Sequence, residues 1–166
     1  MVIKNLIGAT LHSAEHIFSR SLQNLGLKIE VLKADTFRAD GKGFLIVSGK
    51  IQMEQLLLAE LNVNSVIHKN LDTSIEVFEN IKLAESKYPN LRFNEGRLKE
   101  TKNIRVVKIG NFDVCACKNE HVTNTGEIKA FAIVDISYLR GDTQIEFKTG
   151  LDVVTYLIKI NDETHL

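Results

Sequence analysis

His12 and His16 stand four residues apart in the segment Leu11-His12-Ser13-Ala14-Glu15-His16-Ile17-Phe18, and Cys117 and His121 repeat that spacing far downstream. On a helix, an i, i+4 pair projects from one face, so both imidazoles can reach a single ion. Three imidazoles and one thiol are donors of the kind that bind zinc, which takes three or four protein ligands and leaves a position open to water when it is catalytic. Such an ion lowers the pKa of its water and polarises a carbonyl, which is hydrolase chemistry. Cys115 offers a competing thiol two residues before Cys117, so the identity of the sulfur ligand stays open between them. Glu15, next to His16, has the chemistry of a general base; adjacent helix positions point apart, so a solvated helix charge is the alternative.

These side chains need elements to hold them. Ile7 to Leu25 carries apolar residues at Leu11, Ala14, Ile17, Phe18, Leu22 and Leu25, a helical spacing, with Thr10 as the expected N-cap and Gly26 as the stop. Ile29 to Arg38 and Gly43 to Ser48 read as strands turning at Ala39-Asp40-Gly41-Lys42. From Gln52 to about Lys69 the pattern is helical, through Met53, Leu56, Leu57, Glu60, Leu61 and Val66. A strand at Ser74 to Phe78 and a short helix from Asn80 to Ser86 follow, stopped by the only proline, Pro89. Ile104 to Ile109, Ile128 to Leu139 and Thr143 to Lys148 read as strands, with Gly141-Asp142 as the turn between the last two. Cys117 to His121 falls in a turn between strands, and Gly150 to Ile160 is either a closing helix or a strand. The expected fold is α+β: one compact domain over 1–166, mostly antiparallel sheet with helices packed on it.

The 166 residues, 44% of them hydrophobic, suffice for one core without disulfides. No apolar run is long enough to cross a bilayer, and the first residues lack the apolar stretch and cleavage site of a secretion signal, so a cytoplasmic address is expected. With Lys plus Arg at 21 and Asp plus Glu at 21 the net charge is zero, which leaves RNA binding open but argues against tight, sequence-blind binding of long nucleic acid, and no DNA partner is expected. Basic residues gather only modestly, at Lys82 to Lys87 and Arg92 to Arg105. No G-x-G-x-x-G or P-loop supports a nucleotide fold.

The motifs resemble a known family. His12-Ser13-Ala14-Glu15-His16 resembles the H-T-A-x-H that opens the editing domain of alanyl-tRNA synthetases and their free-standing relatives, which share the second additional domain of threonyl- and alanyl-tRNA synthetases. Cys117 to Val122 stands where that family has C-G-G-T-H-V, and Thr123 to Ile128 resembles its T-x-x-T-G-E-I. Between them, Leu61 to Asn70 resembles the E-x-x-V-N-x-x-I-x-x-N helix, and Arg105 to Ile109 the strand that leads to the cysteine. The order and distances match across most of the chain.

The resemblance implies a zinc-dependent editing hydrolase of the short, free-standing form. It would hold Zn2+ through His12, His16, Cys117 and His121 and remove serine or glycine wrongly esterified to alanine tRNA, meeting the tRNA at its acceptor end. Glu15 and Cys117 are the candidate catalytic groups. Ser13, Thr125 and Glu127 are the candidate substrate contacts, with a hydrogen bond from Thr125 or Glu127 to a ligand histidine, or an exposed strand charge at Glu127, as alternatives. His68 and His165 are expected on the surface. Lys118-Asn119-Glu120 replaces two glycines and a threonine of the family loop, putting bulk and charge where glycine permits close approach or positive φ. Two other readings follow: a diverged zinc hydrolase acting on another aminoacyl-tRNA or a small ester or amide, and a non-catalytic zinc-containing binding module. A homodimer is an open assembly state.

Overall fold

A computed structural model describes residues 6–93 and 102–164 of the chain. His165 and part of the Arg92 to Arg105 basic cluster lie outside the described residues. The class is the expected α+β. Among the described residues there are two antiparallel sheets, one of four strands and one of three, and two long helices that pack on each other.

Helix α1 runs Leu6–Asn24 and buries Leu11, Ala14, Ile17, Phe18 and Leu22, the residues whose spacing announces it. It also buries His12, Ser13, Glu15, His16, Ser19 and Ser21, so the helix is enclosed on nearly every side. Thr10 is not its cap. The helix begins a turn earlier, and the Thr10 hydroxyl donates back to the Ile7 carbonyl at 2.8 Å. Gly26, at φ +82, ends the segment where a left-handed residue is needed. Helix α2, Met53–Lys69, packs its Leu56, Ala59, Val63, Val66 and Ile67 into the same core as α1. Met53, Leu57 and Leu61, part of the apolar pattern in the sequence, face outward at half exposure or more. The inward stripe is completed by Ala59 and Val63 instead.

The larger sheet has the order β1-β2-β7-β6, from β1 (Val31–Asp35), β2 (Gly43–Val47), β6 (Phe131–Leu139) and β7 (Asp142–Thr149). Gly43 pairs with Phe147, and a Cβ at that glycine would lie 2.1 Å from the Phe147 ring, so the ring occupies the space a side chain would need. The β6–β7 turn is Arg140-Gly141, both at positive φ, one residue earlier than the sequence suggested. The smaller sheet has the order β3-β4-β5, from β3 (Thr73–Phe78), β4 (Ile104–Ile109) and β5 (Asp113–Ala116). Strand β5 has no counterpart in the sequence reading, and it is the strand that delivers Cys117. A 3-10 turn at Thr125–Ile128 replaces the expected start of β6, which begins at Phe131. Helix α3, Ile81–Lys87, is capped by the Asn80 side chain accepting from the Leu83 amide, and Leu151–Thr164 is a helix, α4. Among the described residues no helix is long and apolar enough to cross a membrane.

Candidate metal centre

Because α1 is enclosed, its two histidines point into the protein: His12 is 7% and His16 9% exposed. The segment leaving β5 crosses over them and places Cys117 and His121 against the same helical turn. Donor atoms of His12, His16, Cys117 and His121 all lie within 4.8 Å of one another. His12 Nε2 is 3.0 Å from Cys117 Sγ and 3.1 Å from His16 Nε2. Ligands held tetrahedrally at about 2.0–2.1 Å from one ion sit about 3.3 Å apart, so the set has the dimensions of a single coordination sphere.

The remaining ring nitrogens strengthen the case. His12 Nδ1 contacts Thr36 Oγ1 at 3.2 Å, His16 Nδ1 contacts Cys115 Sγ at 2.8 Å, and His121 Nδ1 contacts Ser13 Oγ at 3.1 Å. Each imidazole is thus held by one nitrogen and offers the other, the arrangement that fixes the tautomer of a metal-ligating histidine. His121 Nε2 is buried with no hydrogen-bond partner. An orphaned buried nitrogen aimed into a cluster of donors is costly unless an ion completes it. The donor set fits a metal ion.

Electrostatics prepares the same outcome. Burial, with Arg105 adding to it, lowers His12 to about 4, and burial first, then the crowding of the other imidazoles, then nearby arginine charge hold His16 and His121 well below the ordinary value. All three rings are therefore neutral and ready to ligate at neutral pH. Burial raises the Cys117 thiol, and the Asn119 amide donating to its sulfur pulls the other way. Metal binding would then expel the thiol proton. Cys115 does not share this position: its sulfur lies behind His16 and is pushed well up by burial. The geometry therefore separates the two sulfurs that the sequence left as alternatives.

The other sequence candidates divide. Glu15 is not a solvated helix charge. It is 5% exposed, accepts from the Ser19 hydroxyl at 2.8 Å, and has Oε2 3.7 Å from His16 Nε2; burial raises its pKa. Ser13 is fully buried, accepts from the Val122 amide at 3.1 Å and touches His121, so it ties α1 to the loop that carries His121. Thr125 is likewise fully buried: its hydroxyl donates to the Val66 carbonyl and accepts from the Leu71 amide, both at 2.8 Å, locking the 3-10 turn to the end of α2. Glu127 Oε1 accepts from the Thr123 hydroxyl and the Thr123 and Asn124 amides, closing a capping box. Neither reaches the histidines through any of these bonds. His68 is exposed, as expected.

None of Lys118, Asn119 and Glu120 takes a positive φ, so this loop does not demand glycine. Arg105 stabilises it, donating to the carbonyls of Cys117 at 3.0 Å and Asn119 at 2.6 Å. Thr36 and Phe37 line a cleft of about 210 Å³ with Gly8, Leu11 and Arg38, and the Phe37 ring stacks 6.2 Å from His12. Sequence reasoning missed Thr36, Arg92, Arg105 and Asp113. Asp113 and Cys115 share the buried face of β5, a strand that only its pairing with β4 reveals.

Comparison with known proteins shows the family. Residues 104–144 match the threonyl and alanyl tRNA synthetase second additional domain. The alanyl-tRNA editing protein AlaX-L of Pyrococcus horikoshii is 31% identical over 152 residues, covering 90% of this chain and 36% of that protein. The alanine–tRNA ligases of Desulforamulus reducens and Clostridioides difficile are 33% and 31% identical, each over 88% of this chain and 16% of their own length. The chain therefore spans about a third or less of these relatives. With its motifs in matching order along nine-tenths of its length, the chain belongs to the alanyl-tRNA editing family, as a relative that spans part of its longer members.

Proposed function

We propose that this chain is a zinc-dependent hydrolase that deacylates mischarged tRNA, with seryl- or glycyl-tRNA for alanine as the substrates the family implies. The observation that carries the reading is the convergence of His12, His16, Cys117 and His121 with the Nε2 of His121 left unpartnered. Three imidazoles and one thiol gathered within 4.8 Å of one another favour zinc over the oxygen-seeking divalent ions, and a catalytic ion held there would need a further position for water or the ester. When bound, zinc supplies positive charge and Lewis acidity beside the ester carbonyl. The chain's own groups do the rest. Ser13, Thr36 and Cys115 orient the three rings. Glu15, 3.7 Å from His16 Nε2 and shielded from solvent, is placed to hold or take a proton as the ester is cleaved. Cys117 acts as a ligand thiolate. The cleft at Thr36 and Phe37 meets the centre through Thr36, which touches His12 Nδ1 on the side of the ring away from the other donors. The partner is the acceptor end of tRNA, and a cytoplasmic address follows from that substrate.

The exposed Lys118 and Asn119 on the ligand loop favour a second reading, a diverged hydrolase on the same scaffold acting on another aminoacyl-tRNA or a small ester. Zinc-loaded protein should be incubated with seryl-, glycyl- and other mischarged tRNAs beside an active editing enzyme. Release of serine or glycine from alanine tRNA supports the first reading. Release only from other esters supports the second. A zinc-containing protein that leaves every ester intact would be a binding module and would end both.

A further inference from the structure

Behind His16, away from the other three donors, the chain builds a second buried group of polar side chains that ester cleavage does not use. Cys115 Sγ lies 2.8 Å from His16 Nδ1, and Asp113 Oδ2 lies 3.9 Å from the same nitrogen. The Asp113 side chain is wholly buried and accepts from Arg20 Nε at 2.8 Å and from Arg92 Nε at 3.0 Å, with Arg92 Nη2 on its second oxygen. Arg92 Nη2 also donates to the His16 carbonyl at 3.1 Å. The backbone pairing continues the link, since Arg92 and Cys115 form a bridge. Helix α1, the segment after α3 and strand β5 therefore meet at one residue, His16.

We infer that Cys115 is a positioning residue, whose sulfur accepts the Nδ1 proton of His16 and so keeps Nε2 bare and aimed at the metal. Asp113, Arg20 and Arg92 clamp β5 to α1 so that this contact keeps its geometry. The inference rests on the zinc reading for its purpose, though the contact itself exists without metal. His16, Asp113 and Cys115 also have the composition of a second ion site. Two guanidiniums already face the single carboxylate, so another cation there would meet uncompensated positive charge in a poorly screened interior. A neutral His16 cannot offer both nitrogens as lone pairs either. The group is a brace, and the centre holds one ion.

The test uses Cys115→Ser, which keeps an acceptor, with Cys115→Val and Cys115→Ala, which remove it; two apolar variants guard against one failing to fold. Long-range nitrogen–proton NMR of the metal-free proteins should show His16 protonated at Nδ1 in the wild type and in Cys115→Ser, and not fixed so in the apolar variants. Chelator competition should show zinc affinity about 10- to 100-fold weaker in the apolar variants, the usual loss when a ligand's supporting hydrogen bond is removed, with recovery in Cys115→Ser. Cobalt substitution should give one ion per chain and a thiolate band that survives every Cys115 variant. An unchanged His16 tautomer and zinc affinity in the apolar variants, a stoichiometry of two, or a thiolate band lost with Cys115 would each overturn the inference. If the wild type binds no zinc, the functional reading fails, while the metal-free tautomer still decides the brace.

Discussion

Replacing Ser13 by alanine removes one hydroxyl at the join between the two ligand pairs. That oxygen accepts from the Val122 amide and contacts His121 Nδ1, both at 3.1 Å, in a fully buried setting. Truncation leaves a buried N–H with no acceptor, worth about 1–3 kcal/mol, and removes the histidine contact, worth about 0.5–1.5 kcal/mol more. The expected destabilisation of the metal-free protein is therefore about 1.5–4.5 kcal/mol, a large fraction of the roughly 5–15 kcal/mol that holds a typical domain folded. Urea unfolding reads it directly, as a lower midpoint with unchanged slope. Zinc affinity, measured by chelator competition, should fall in parallel because His121 loses its orientation. Ser13→Thr, which restores the residue of the family motif, should behave like the wild type. A Ser13→Ala protein within about 0.5 kcal/mol of the wild type, the range of an inconsequential surface change, and with unaltered zinc affinity, would refute this reasoning.

Thr125→Val should destabilise by about 2–4 kcal/mol in the same assay, because two buried backbone groups, the Val66 carbonyl and the Leu71 amide, lose their partner. Gly43→Ala drives a methyl to 2.1 Å from the Phe147 ring, so the ring must leave its place in the core. A loss of about 1–3 kcal/mol or more is expected, visible as a lower thermal midpoint. The metal-free protein should lose stability in mild acid. His12 is held at about 4 by burial against 6.5 unfolded, so its contribution is complete above pH 6.5 and disappears as pH falls to about 4. A shift of that size is worth roughly 3 kcal/mol. Urea midpoints between pH 4 and 7 check it, and zinc should protect because it competes with the proton.

Much of the site was legible because spacing carries it. The i, i+4 histidines of α1 and the apolar repeat from Leu11 to Leu22 fix both the helix and its inward face. The limits are physical. Asp113-Val114-Cys115-Ala116 is too short and too mixed in polarity to declare a strand, and only pairing with β4 makes it one. Without β5, Asp113 had no partner, although it meets two arginines from distant parts of the chain. Thr125 and Glu127 sit in a motif that suggests substrate contact, but Thr125 is buried on the backbone of Val66 and Leu71, and half-buried Glu127 caps its own turn. Met53, Leu57 and Leu61 show the opposite case, a helical repeat whose face is decided by the smaller Ala59 and Val63. The burial of Glu15 was hidden from the sequence for a similar reason. A neighbour of a ligand on an exposed helix would be solvated, but α1 is surrounded.

X-ray absorption at the zinc edge of the purified, zinc-loaded protein tests the central claim most directly. The account predicts one zinc per chain with three nitrogens at about 2.0–2.1 Å and one sulfur at about 2.3 Å, the sulfur lost in Cys117→Ala and kept in Cys115→Ala. A shell without sulfur, a shell with two sulfurs, or protein that retains no zinc would contradict it.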